Sequence, residues 1–342
     1  MMLESWFRAT MTGCGRLLET RRDISVLSFA STSRLELAES GDTSGEERAD
    51  EADRRKEGRM ASVEKRRIVI GDVHGELAGL REILLHAGLI DDHDSWTGGE
   101  SLLIQVGDVI DRGPCSRECV GLLRSLQSQA PEAGGQVVRL CGNHELMLLQ
   151  RDYGYADYSD PAGLAQEIRD EVVARKIAAS FSDGSRLYTH AGLRSAIRIA
   201  VMQDQVGAKT AVGPSTRGGL KKLSDRLNSI FISSLKAGDL ESHPIFHVDG
   251  KRGGPHKVGG SFWGDYTLIA ASQQAYDIPQ IFGHTPTRKS SVQHCRGLKL
   301  IDIDTGMCRA YGGNRVYLEI GPGGEITQHS KKETGWKQKA LG

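Results

Sequence analysis

Five short segments of this 342-residue chain frame an Asp, His or Asn with small residues: GDVHG at 71–75, GDVIDRG at 107–113, GNHE at 142–145, THAG at 189–192 and GHT at 283–285. Their side chains Asp72, His74, Asp108, Asn143, His190 and His284 offer carboxylate oxygens, imidazole nitrogens and one amide oxygen. That donor set suits first-row divalent ions such as Mn, Fe and Zn, and the amide oxygen fills a shell without adding charge. Two such ions ~3.5–4 Å apart would clamp the attacking and leaving oxygens of an in-line displacement and acidify a bound water. A single Gly-Asp after a strand is ordinary turn punctuation. Five such segments in one chain point to a dinuclear metal site at strand ends.

Each segment follows an apolar run: Ile68-Val69-Ile70, Leu102 to Val106, Val137 to Leu140, Leu187-Tyr188 and Ile281-Phe282. These read as buried strands, and loops beyond the carboxyl ends of strands in open α/β sheets converge on one crevice. Between them the apolar spacing predicts helices over Cys115–Gln129, Glu145–Asp152 and Pro161–Ser180, with Leu164, Ile168 and Val172 on one face of the last. Another helix carries Leu220, Leu223, Leu227, Ile230 and Phe231 after Gly219. Such stripes are core packing. Residues 241–267, rich in Gly, His and Pro, read as an irregular loop on the rim of the crevice.

In order and context the five segments resemble those of the calcineurin-like metallophosphoesterases, and within them the phosphoprotein phosphatase branch, from about Arg67 to Gly306. The resemblance implies an α/β fold, a four-layer αββα sandwich with the metal site at its strand ends. It implies that Asp72, His74 and Asp108 bind the first ion, and that Asp108, Asn143, His190 and His284 bind the second, with Asp108 bridging. A hydroxide held between the ions is then the nucleophile. His144, paired with Asp111, protonates the leaving oxygen, and Arg112 grips the phosphoryl group. Residue chemistry agrees: a carboxylate at Asp111 can orient the His144 ring and favour its protonated form, and the planar fork of Arg112 matches phosphate oxygens as Lys does not. Arg112 as a structural partner of Asp111 is the plainer alternative.

The implied activity is metal-dependent hydrolysis of a phosphoester, foremost a phosphomonoesterase of the protein serine/threonine phosphatase type using two Mn²⁺, with Fe or Zn as other candidates. Hydrolysis of dinucleoside polyphosphates, a phosphoanhydride reaction, is the alternative within enzymes. A non-catalytic module holding a partner's phosphate is the alternative outside them. The chain departs from its relatives at one point. Several bacterial-type members have Trp followed two residues later by a phosphate-binding Arg, whereas this chain reads Trp263-Gly264-Asp265, and a carboxylate there would repel phosphate. Arg252, Lys251 and Arg288 are the candidates to supply the missing charge.

Composition bounds the rest. Hydrophobic residues make up 38% and aromatic residues 6%, and Lys plus Arg equals Asp plus Glu at 44 each, so no global charge favours nucleic acid or acidic membrane. No run approaches the roughly 18–20 apolar residues that span a bilayer. Six cysteines show no double pair; Cys115 and Cys119, a turn apart, lack partners for a metal half-site, and scattered thiols fit a reducing compartment such as the cytoplasm. Residues 41–59, GDTSGEERADEADRRKEGR, bury too little to order themselves. We therefore expect an N-terminal extension over 1–60, either disordered or, from its Arg and Ser content, a mitochondrial or plastid targeting segment, then a catalytic domain over 61–330 and a flexible tail over 331–342. The seven histidines outside the motifs, His86, His93, His243, His247, His256, His294 and His329, are expected in surface or core roles.

Overall fold

Alternation along the strands sets the layers. In β1 (Arg67–Ile70) Ile68 and Ile70 point one way and Val69 the other; in β2 (Leu102–Gln105) Leu103 opposes Leu102 and Ile104; in β3 (Gln136–Leu140) Val137 opposes Val138 and Leu140. Ile68, Ile70, Leu103 and Val137 pack against helices. Val69, Ile104, Val138 and Leu140 pack against a second sheet through Tyr188, Ile281, Ile301 and Ile303. The computed structural model describes residues 65–203, 216–272, 278–295 and 297–342; the expected N-terminal extension lies outside them.

The first sheet has seven strands in the order β12-β11-β10-β1-β2-β3-β4, the second five in the order β5-β6-β7-β9-β8. The remaining strands are β4 (Ile177–Ala178), β5 (Ser180–Ser182), β6 (Leu187–Thr189), β7 (Gln280–Phe282), β8 (Gln293–Cys295), β9 (Leu300–Asp302), β10 (Val316–Ile320), β11 (Ile326–Lys332) and β12 (Gly335–Leu341). β1 to β4 run parallel, as do β6, β7 and β9, so each sheet presents a set of carboxyl ends. The helices are α1 (Leu77–His86), α2 (Ser116–Gln129), α3 (Asn143–Leu149), α4 (Pro161–Val173), α5 (Ser195–Gln203), α6 (Arg217–Ala237) and α7 (Tyr266–Ala271). α1 and α2 cover the outer face of the first sheet through Leu80, Ile83, Leu84, Leu123 and Leu126. Ile269 of α7 covers Phe282 and Leu300 on the outer face of the second. The layers are those of an αββα sandwich.

Two sequence expectations change. The helix expected over Pro161–Ser180 stops at Val173, after which Arg175 turns into the left-handed region and the chain forms β4 and β5. Here the backbone crosses from one sheet to the other: β4 pairs with β3, and β5 with β6. Ladder pairing overrides the weak helical preference of this stretch. The flexible tail expected over 331–342 instead holds the end of β11 and all of β12, an antiparallel hairpin paired from Ile326↔Leu341 to Lys332↔Gly335. Lys337 and Lys339 on this outer strand are the kind of residue that keeps a sheet edge from recruiting another chain. Among the described residues no helix is long and apolar enough to cross a membrane.

Candidate metal centre

All five motif loops leave the carboxyl ends of parallel strands. Asp72 and His74 follow β1, Asp108 follows β2, Asn143 and His144 follow β3 and open α3, His190 follows β6, and His284 follows β7. The six expected ligands, with Asp111 and His144, are all buried, and Arg112 is exposed at the rim. The turns are sharp: His74, Asp108, Asp111, Arg112 and His284 have φ of 49°, 54°, 69°, 69° and 75°. Each such non-glycine conformation costs about 1–3 kcal/mol and persists where the surroundings over-determine it. Two glycines allow the close approach. A Cβ at Gly142 would lie 2.1 Å from Asp108 Oδ1, and one at Gly283 would lie 2.2 Å from Asp72 Oδ1.

The loops are locked to one another. Val73 N–H and His74 N–H both donate to the Asp108 carbonyl at 2.9 Å, and Gly75 N–H donates to the Val109 carbonyl at 2.8 Å. Glu145, on the first turn of α3, gathers four backbone donors: its Oε2 accepts from Asp108 N (2.9 Å) and Gly142 N (2.8 Å), its Oε1 from Val109 N (2.8 Å) and Ile110 N (3.3 Å). Burial and the Asp108 carboxylate push Glu145 up to about 7, against the pull of those N–H groups. Sequence reasoning named this residue only as part of GNHE and as the start of a helix, with no role in the site; an acid placed just inside a helix that follows a glycine was the available signal.

The imidazoles are arranged as ligands. His74 Nδ1 donates to the Ile110 carbonyl and His190 Nδ1 to the Val106 carbonyl, each at 3.0 Å, which fixes the tautomer and leaves both Nε2 lone pairs facing inward. His74 Nε2 lies 3.6 Å from Asp108 Oδ2, and His190 Nε2 lies 3.5 Å from Asp108 Oδ1. His190 Nε2 is also 2.9 Å from Asn143 Oδ1 and 3.2 Å from His284 Nδ1, which in turn is 2.7 Å from Asn143 Oδ1. Burial, first among the causes, lowers all three rings: His74 to about 3, His190 below its ordinary value and His284 well below it. His74 and His190 spend their single ring protons on backbone carbonyls, so at most the one proton of His284 is left for the carboxylate, amide and imidazole acceptors that converge here. A divalent cation satisfies them all, so these residues fit the expected ions.

Asp72 and Asp304 complete a carboxylate side to the site. His284 N–H approaches both oxygens of Asp72 at 3.2 Å. Burial and then the neighbouring carboxylates Asp304 and Asp108 raise Asp72 well above the usual range, and burial raises Asp304 to about 7. Close positive charge would relieve both. Asp304 escaped sequence reasoning, although it follows β9 just as Asp72 follows β1. Asp108 shows the opposite balance: burial raises it, and the surrounding imidazoles outweigh burial and hold it below the usual range.

His144 Nδ1 lies 2.6 Å from Asp111 Oδ2, and its Nε2 lies 3.2 Å from Arg112 Nη2. Burial would lower this ring, but the Asp108 and Asp111 carboxylates together raise it above its ordinary value. Among the described residues Arg112 forms no ion pair with Asp111. Its guanidinium sits 5.1 Å over the Tyr311 ring and 5.8 Å over the Tyr155 ring instead. A cleft of about 160 Å³ lies over the site, lined by the Asp and His residues together with Arg112, Arg252, Trp263 and Tyr311. Of the three candidates for a second cation, Arg252 lines this cleft. Its Nη2 donates to Thr285 Oγ1 at 2.9 Å and lies 3.4 Å from Asp265 Oδ2. Lys251 also pairs with Asp265, at 3.5 Å, while Arg288 stacks 5.3 Å over Tyr311. The carboxylate expected to repel phosphate therefore carries two cations of its own.

The profile of the family described as calcineurin-like phosphoesterase matches residues 65–288. An uncharacterized protein of Schizosaccharomyces pombe is 29% identical over 282 residues, covering 73% of this chain and 76% of that one. Shewanella-like protein phosphatase 2 of Arabidopsis thaliana is 44% identical over 91 residues, 27% of this chain and 23% of its own length. Among solved structures, the cold-active protein-tyrosine phosphatase of a psychrophilic Shewanella superposes with a TM-score of 0.58 at 20% identity, covering 82% of this chain and 81% of that one. The last likeness is one of fold.

Proposed function

The chain belongs to the calcineurin-like phosphoesterase family, and from that premise we propose that it is a phosphomonoesterase of the protein serine/threonine phosphatase type, working with two divalent ions, Mn²⁺ first among them and Fe or Zn as alternatives. The convergence of His190 Nε2, His284 Nδ1, Asn143 Oδ1 and the Asp108 carboxylate, with at most one ring proton among them, carries this reading. Asp72, His74 and Asp108 would hold one ion, and Asp108, Asn143, His190 and His284 the other. Bound there, the ions would polarise the phosphoryl group and lower the pKa of water.

The chain's own groups perform the remaining tasks. Arg112 and Arg252 both line the cleft and offer planar forks to phosphate oxygens. His144, held through Nδ1 by Asp111, would donate a proton from Nε2 to the departing oxygen once Arg112, whose Nη2 faces that nitrogen at 3.2 Å, turns to the phosphate. Such a donor matters most for a poor leaving group such as a serine alkoxide. The catalytic unit on this reading is residues 61–330, extended by the β11–β12 hairpin. Cys115, Cys119, Cys141 and Cys308 are free thiols, which supports a reducing compartment such as the cytoplasm.

Turnover of p-nitrophenyl phosphate with added Mn²⁺ tests the activity itself; two bound ions without turnover would favour a phosphate-binding module. His144→Asn then separates the ester from the anhydride reaction. We expect a loss of roughly 10²-fold or more on a serine phosphate and a small loss on diadenosine tetraphosphate, whose ADP leaves readily. Equal small losses on both would remove His144 from the acid role.

A further inference from the structure

The two oxygens of Asp111 are used unequally. Oδ2 takes the His144 Nδ1 proton at 2.6 Å, whereas Oδ1 is fully buried with no hydrogen bond. The Tyr158 hydroxyl is likewise buried with no hydrogen bond, and after burial the Asp111 carboxylate is the next cause that raises its pKa. The Tyr158 ring is half-buried and packs against the main core, with its hydroxyl on the buried side. A buried phenol needs an acceptor and a buried carboxylate oxygen needs a donor. These two groups answer one another.

The loop that carries Tyr158 is held in place for this. Arg117, on the first turn of α2, donates from Nε to the Ser159 carbonyl at 3.0 Å and from Nη2 to the Asp160 carbonyl at 2.7 Å. Ser116 beside it accepts the Asp111 N–H at 2.9 Å. One helix start thus anchors both the Asp111 turn and the Tyr158 loop. The same loop sends Tyr155 edge-on to His144 at 5.3 Å.

We propose that Tyr158 is a positioning residue for the general-acid pair. Its O–H donates to Asp111 Oδ1 and fixes the carboxylate plane, so that Oδ2 stays on His144 Nδ1 and Nε2 stays aimed at the leaving oxygen. The inference rests on the proton-donor role of His144 given above. It differs from a packing role in one respect: loss of the hydroxyl should slow only reactions that need the proton.

The test is Tyr158→Phe, which keeps the ring, assayed with Mn²⁺ on O-phosphoserine and on p-nitrophenyl phosphate, with His144→Asn in parallel and thermal melting as a control. We expect kcat on O-phosphoserine to fall on the order of tenfold, a fraction of the full acid contribution, with KM unchanged and p-nitrophenyl phosphate turnover within about twofold of wild type. Equal losses on both substrates, or no loss on either, would overturn the role of Tyr158 while leaving His144→Asn selective. A His144→Asn variant without substrate selectivity would overturn the acid assignment itself, and this role with it.

Discussion

Asp265 stands where a phosphate-binding Arg was expected, and its neighbours explain why the exchange is tolerable. Its carboxylate, 3.4 Å from Arg252 and 3.5 Å from Lys251, also caps α7 by accepting the Thr267 N–H at 2.9 Å. Burial raises this carboxyl, but hydrogen bonding to Thr267 and the charge of Arg252 outweigh that and hold it below the usual range. On the proposed reading, a cation delivered from residue 252 takes the place of one delivered from residue 265. Arg252→Ala should lower kcat/KM on a phosphomonoester roughly 10- to 100-fold and weaken inhibition by inorganic phosphate, as loss of a charged hydrogen bond of about 1.5–3 kcal/mol requires. Adding Asp265→Arg to that variant should restore part of both. No recovery in steady-state kinetics would mean the two positions are not interchangeable. Asp72, His74, Asp108, Asn143, His190 and His284 could be picked out because each is a polar residue after an apolar run. Arg252 was one of three candidates for the second cation, and neither which of the three lines the cleft nor the place of Tyr158 was legible, since irregular loops carry no periodicity that says which way a side chain faces.

At the scale of elements, the metal loops depend on α3. Glu145→Gln keeps the shape but turns an NH₂ toward backbone donors, leaving N–H groups of the Asp108 loop unpaired at about 1–3 kcal/mol. Urea denaturation should show that loss, and Mn²⁺ affinity should fall with it. A second element-level device joins the start of β1 to the turn before β6. Arg67 Nη1 lies 2.9 Å from Asp183 Oδ2, which also accepts from the Tyr188 hydroxyl at 2.9 Å. Burial raises the Asp183 carboxyl, but Ser185, nearby backbone N–H groups and Arg67 together hold it below its ordinary value. A depressed folded pKa gives stability that is present above the unfolded value of about 3.9 and is lost as pH falls through the folded one. Asp183→Asn should therefore cost about 3–5 kcal/mol at neutral pH, as breaking a buried pair does, and show a flatter loss of stability than wild type below about pH 4. An unchanged acid limb in circular dichroism would dismiss this role. The five strands that lead into the motif loops and the helices α2, α3, α4 and α6 could be read from apolar spacing, whereas β8 to β11, α1, α5 and α7 were not. The crossing at β4–β5 could not, because short alternating runs pair only with strands distant in sequence, and the β12 hairpin carries Lys and Gln where a tail would.

For the whole molecule, the site joins the two sheets: β1, β2 and β3 supply Asp72, His74, Asp108 and Asn143, while β6 and β7 supply His190 and His284. Ions bound between them add to the stability of the sandwich by mass action, about 2.7 kcal/mol for a ligand at 100 times its Kd. EDTA should thus lower Tm by several degrees, and added Mn²⁺ should restore it. Unchanged melting after chelation would mean that the sheets do not depend on the centre they share. The most direct measurement is metal content by elemental analysis alongside p-nitrophenyl phosphate turnover, for the wild type and Asp108→Asn. The wild type should hold two ions per chain and turn over. Asp108→Asn should hold at most one and lose roughly a hundredfold or more in rate, the upper range for disturbed metal sites. Two ions and full activity in Asp108→Asn would contradict the account.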